Sequence, residues 1–112
     1  MSVKYELEGQ KFMALNGGPL YKFNEAVSFL VACDTQQEID TLWDKLTADG
    51  GAPTQCGWLK DKFGLSWQII PKKLGSLLGG GGDPARAKRV LDAMLPMKKL
   101  DERRLQEAYD GK

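Results

Sequence analysis

Histidine is absent from the 112 residues. Its absence removes the commonest side-chain ligand of transition metals and the one group whose unperturbed charge changes near neutrality. It also removes every Ser-His or Cys-His nucleophile pair. Cysteine occurs only at positions 33 and 56. Cys33 and Cys56 make neither a short metal-type pair nor a disulfide framework, so they read as free thiols suited to a reducing cytoplasm. No apolar run approaches the roughly 18 residues of a membrane span. Met1–Glu6 has no apolar stretch of signal-peptide type, and cytoplasmic residence is the expected location. A large charge of one sign is missing too. The net charge of +1 excludes a global pull toward nucleic acid or membrane.

What is present describes one ordinary globular domain, with 42% hydrophobic and 28% charged residues. Its charge is unevenly placed. Residues 1–71 hold six basic and nine acidic residues, a net of −3, and residues 72–112 hold ten and six, a net of +4. In the second half Arg86, Lys88, Arg89, Lys98, Lys99, Arg103 and Arg104 are interspersed with acidic residues and lack interleaved aromatics. That pattern describes solvated helix faces rather than a nucleic-acid footprint.

Local patterns predict the elements. Residues 3–7 and 11–15 read as two strands of a hairpin, with Gly9 in the turn. Residues 26–33 form an apolar run that suits a strand covered on both faces. Thr35 and Glu38 stand at capping-box spacing, and Ile39, Leu42, Trp43 and Leu46 then make one helical stripe that Gly50-Gly51 ends. Residues 55–60 and 65–70 read as strands around a turn at 61–64, with Pro71 closing the second. A short helix over 73–78, a flexible joint at Gly79–Gly82, and a helix capped by Asp83-Pro84 with Ala87, Val90, Leu91 and Met94 on one face complete the pattern, before a last helix from Asp101. Strands and helices do not alternate regularly, which favours α+β over a doubly wound sheet. Residues 1–71 form the sheet-and-helix part and 72–112 a C-terminal helical extension.

Phe12–Pro19, Phe23–Phe29, Cys33–Gln36 and above all Cys56–Asp61 with Phe63-Gly64 and Ser66–Ile69 resemble the PhnB-like, or 3-demethylubiquinone methyltransferase-like, group of the vicinal-oxygen-chelate (glyoxalase/bleomycin-resistance) superfamily. The resemblance implies paired βαβββ modules whose sheets form a cup. Here the first module would be shortened to residues 3–15, and the second would span 26–70. Such a half-cup leaves apolar surface and strand edges to cover, which a homodimer does with one patch used twice.

The resemblance places the superfamily's metal-ligating positions near Met13, Ala26 or Ser28, and Gln68. None of these is a good ligand for zinc, iron or manganese. No metal and no cofactor are therefore expected, and no glycine-rich strand-to-helix loop supports a nucleotide-type cofactor for a methyltransferase. No catalytic residues are assigned. Asn16, Ser28, Trp58 and Gln68 are the expected cup-lining residues, because small-molecule pockets combine apolar walls with a few polar anchors. Trp67 alternates with Gln68, so it belongs on the opposite face, beneath Trp43. The expected function is metal-free binding of a small molecule rather than catalysis. A metal-dependent lyase, isomerase or dioxygenase, and a structural fragment without activity, remain open alternatives.

Overall fold

A computed structural model describes all residues, Met1–Lys112. The chain begins with a hairpin, β1 (Ser2–Leu7) and β2 (Gln10–Leu15). The two strands pair antiparallel from Ser2 opposite Leu15 to Leu7 opposite Gln10. Glu8 and Gly9 form the whole turn, with φ of 50° and 79°. Two consecutive positive φ values give the tight turn whose twist matches the strands.

A second, four-stranded sheet follows. It contains β3 (Ser28–Cys33), β4 (Ala52–Pro53), β5 (Trp58–Lys60) and β6 (Ser66–Pro71). Its order is β3-β6-β5-β4, with β3 parallel to β6 and the other pairs antiparallel. The parallel β3–β6 pair requires a crossover, and α1 (Gln36–Thr47) supplies it. The result is one complete βαβββ unit in a mixed α+β chain.

The capping box closes α1. The Thr35 hydroxyl accepts from the Glu38 amide at 3.2 Å, and the Glu38 carboxylate accepts from the Asp34 amide at 3.0 Å. Loss of such a cap typically costs about 1 kcal/mol. The stripe predicted on α1 packs on the sheet. Ile39 and Trp43 are buried with Cys33, Leu59 and Ile69, and Leu42, Leu46 and Trp67 pack around them. Full burial of Ile39, Leu59 and Ile69 stabilises by about 1.5–3 kcal/mol each. Trp67 lies on the α1 side, as its alternation with Gln68 requires, and its indole donates to Asp61 at 2.9 Å.

The tail forms α2 (Leu74–Gly79), α3 (Pro84–Met94) and α4 (Glu102–Asp110). Leu74, Leu77, Val90, Leu100 and Leu105 make a second core, against which Ile70 of β6 packs. Asp83 and Asp101 cap α3 and α4 by accepting from Ala85 and Arg104 amides at 2.9 and 3.1 Å.

Several expectations are corrected. The strand over 26–33 starts only at Ser28, because Glu25-Ala26 turn and the Asn24 side chain accepts from the Ala26 amide. It is also an edge strand covered on one face, with Leu30 56% exposed. The strand over 55–60 is reduced to Trp58–Lys60, since Cys56 and Gly57 take positive φ, and β4 was not foreseen. Gly79–Gly82 is not a flexible joint. Gly80 is buried, and a β-carbon there would meet the Ala87 amide nitrogen at 2.7 Å. Leu91 is 42% exposed and leaves the buried face of α3 to Val90. Cys33 and Cys56 are both free thiols, as expected, and the half-buried Cys56 thiol donates to the Leu95 carbonyl at 3.3 Å.

Candidate functional site

The four-stranded sheet has two unlike faces. Cys33, Leu59, Trp67 and Ile69 point toward α1. Strand alternation therefore puts Ser28, Leu30, Trp58, Lys60, Ser66 and Gln68 on the other face, which no helix of the βαβββ unit covers. The register arranges them in rows. Ser28, Ser66 and Lys60 lie side by side across β3, β6 and β5, and Leu30, Gln68 and Trp58 form the next row.

The structure brings three of the four expected cup residues together. Gln68 donates to the Ser28 hydroxyl at 2.9 Å, and Trp58 is the direct cross-strand neighbour of Gln68. Asn16 sits apart. It lies exposed just after β2, and its backbone N–H donates to the Met1 carbonyl at 3.0 Å.

Lys60, Glu25 and Ser66 were not singled out from the sequence. Lys60 pairs with Glu25 from the segment before β3. Hydrogen bonding from the Lys60 ammonium, followed by a backbone hydrogen bond and the ammonium's charge, holds the Glu25 carboxyl below its ordinary pKa. The Ser66 hydroxyl is buried and has no partner. A hydroxyl in that state costs about 1–3 kcal/mol. A period of two would have placed Lys60 beside Trp58 and Ser66 beside Gln68. The Glu25 contact has no sequence signal, because it crosses from a loop to a strand 35 positions away.

The largest cavity, about 1070 Å³, lies elsewhere. It is an open groove between the hairpin tip at Glu8, the free rim of β3 from Leu30 to Cys33, and the start of α1. Lys72 and Asp34 form an ion pair at 2.7 Å on its border. Burial, with the nearby Glu38 and Asp34 charges, raises the Cys33 thiol pKa. Such a thiol stays protonated and is a poor nucleophile at neutral pH.

The donor chemistry does not fit a catalytic metal. Met13 is 62% exposed on the hairpin, Gln68 offers only a neutral amide oxygen, and no three Cys, Asp or Glu side chains converge on one point. A nucleotide-type cofactor finds no fit at the β3–α1 turn either, because Thr35 and Glu38 fill that helix start with their own side chains.

A βαβββ unit preceded by a hairpin defines the structural class. The family described as 3-demethylubiquinone-9 3-methyltransferase matches residues 1–70, more than half of the chain, and the chain belongs to that family. Among solved structures, it is similar to a protein described as a putative 3-demethylubiquinone-9 3-methyltransferase, PhnB protein, from Bacillus cereus, at 32% identity and a TM-score of 0.56. The likeness covers 63% of this chain and 64% of that one, so this chain spans somewhat less than two-thirds of its structural relative. No curated protein matches the chain. No helix is long and apolar enough to cross a membrane.

Proposed function

We propose that this chain is a metal-free binding protein of the glyoxalase/bleomycin-resistance type. It holds a small apolar or amphipathic molecule on the sheet face opposite α1 and does not transform it. The observation that carries this reading is the sheet face turned away from α1, on which part-buried Trp58 and exposed Leu30 flank the hydrogen-bonded Gln68–Ser28 pair. An apolar wall with a few fixed polar groups is the usual design of a small-molecule site. The absence of histidine and of any converging set of Cys, Asp or Glu supports binding over metal catalysis.

The same reading makes the working unit a homodimer. The surface of 7881 Å² exceeds the about 6100 Å² of a compact monomer of this mass. The excess is comparable to what a substantial dimer interface covers. The rim of β3 has no neighbour, and a second copy could close the open face into a cup.

The test is thermal melting against a panel of small amphipathic compounds. A ligand at 100 times its Kd should raise the melting temperature by about 10 °C, which corresponds to about 2.7 kcal/mol. Trp58→Ala or Gln68→Ala should abolish the rise. A panel with no hit, or one tightly held transition metal per chain by elemental analysis, overturns the reading.

A further inference from the structure

The row Ser28–Ser66–Lys60 is unlike the row beside it. In the Leu30–Gln68–Trp58 row the polar group is satisfied, since Gln68 donates to Ser28. In the first row the Ser66 hydroxyl, on a residue only 1% exposed, has no partner. Its cross-strand neighbour is Lys60, whose ammonium carries a carboxylate from the chain's own Glu25. Glu25 belongs to residues 16–27, which contain no helix or strand.

We propose that the Lys60–Ser66 corner is a carboxylate subsite, that Glu25 is its internal occupant, and that the ligand is an amphipathic monocarboxylate which displaces Glu25. This rests on the binding reading above and names the chemical class that the face takes. Three observations carry it. The occupant already seated is itself a carboxylate. The Glu25 and Lys60 side chains are 59% and 41% exposed, so solvent screens their attraction and the pair is easily broken. An incoming carboxylate meets the same ammonium, brings an apolar body to Trp58 and Leu30, which Glu25 cannot supply, and accepts from the buried Ser66 hydroxyl once departure of Glu25 opens the corner over it.

One ammonium and one hydroxyl suit a monoanion. A phosphate dianion would call for an arginine fork, and every arginine of the chain lies between positions 86 and 104. Lowering of the Glu25 pKa by Lys60 agrees with a corner that favours a bound negative charge.

The experiment compares 2-naphthoate with its neutral isostere 2-naphthamide by calorimetric titration of the full chain at neutral pH. The wild type should bind the acid about tenfold more tightly than the amide. Glu25→Gln, which removes the internal competitor, should tighten 2-naphthoate about fivefold and leave 2-naphthamide unchanged. Lys60→Met should remove the preference for the acid. Ser66→Ala should weaken the acid about threefold while raising the melting temperature of the free protein. Equal affinity for the two probes, or no response of 2-naphthoate to Glu25→Gln, overturns the carboxylate assignment and leaves the binding face standing. Failure of every variant to bind either probe overturns both.

Discussion

Gly51 is where a single atom decides most. Its φ is −71°, which any residue adopts, so the backbone angle is not what selects glycine. Space is. A β-carbon there would meet the Leu46 carbonyl oxygen at 2.6 Å, the Thr47 α-carbon at 2.8 Å and the Lys60 carbonyl oxygen at 2.9 Å. All three are backbone atoms, so the end of α1 or strand β5 must move to admit it. Gly51→Ala is expected to destabilise by about 2–3 kcal/mol, in the range of overpacked sites, and denaturant unfolding measures it. The pair Gly50-Gly51 was legible as a helix stop, but for a different reason. α1 ends at Thr47, and Asp49 is the non-glycine residue that turns left-handed, with φ of 56°. Two of the three contacts at Gly51 come from its own helix end, and the third, with Lys60, is one that no local reading of residues 46–51 could reach.

Among elements, α1 was the most legible and β3 among the least. The stripe Ile39, Leu42, Trp43 and Leu46 repeats at a helical period, which is a local property of the chain. Whether β3 is covered on one face or two depends on neighbours far away in sequence. An apolar run such as Ser28–Cys33 carries no record of them. The site was half legible for the same reason. Alternation placed Gln68 and Trp67 on opposite faces, whereas the Glu25–Lys60 contact is non-local.

The seam between α1 and the tail is likewise non-local, and Gln36 makes much of it. Its side-chain amide donates to the Leu100 carbonyl and to Asp40, each at 3.0 Å, and its oxygen accepts from the Glu102 amide at 2.8 Å. Lys99 adds an ion pair to Asp40 at 2.9 Å. Gln36→Ala leaves two backbone groups in a part-buried seam without partners, so a loss of about 2–3 kcal/mol is expected from chemical unfolding. Gln36→Glu keeps an acceptor for the Glu102 amide but turns the donor facing Asp40 and the Leu100 carbonyl into a carboxylate oxygen, so it should destabilise as well.

At the scale of the whole molecule, the shape departs from that of a compact chain. The radius of gyration is 16.3 Å and the long dimension 53 Å, against about 13 Å for a globule of this length. The hairpin accounts for part of this. It is held to the sheet by an aromatic run in which Tyr5 stacks on Phe12 at 5.5 Å, Phe12 meets Phe29 at 5.9 Å, and Phe29 meets Trp67 edge-on at 5.3 Å. Only 14 of 112 residues are buried, a small core for a chain that works alone. The homodimer proposed above is expected to give twice 12.4 kDa in light scattering at micromolar concentration. Leu30→Lys, which sets a charge on the rim of β3, should shift the mass toward the monomer. A monomeric wild type at that concentration would remove the two-chain cup.

That bare rim also sets how the protein fails. Ser28–Cys33 carries six consecutive residues without charge, proline or glycine, and its outer amides and carbonyls are open to any passing extended segment. Short uncharged stretches of this kind stack into cross-β fibrils once exposed. The hazard should be greatest early in refolding at high chain concentration, before the proposed second copy covers the rim.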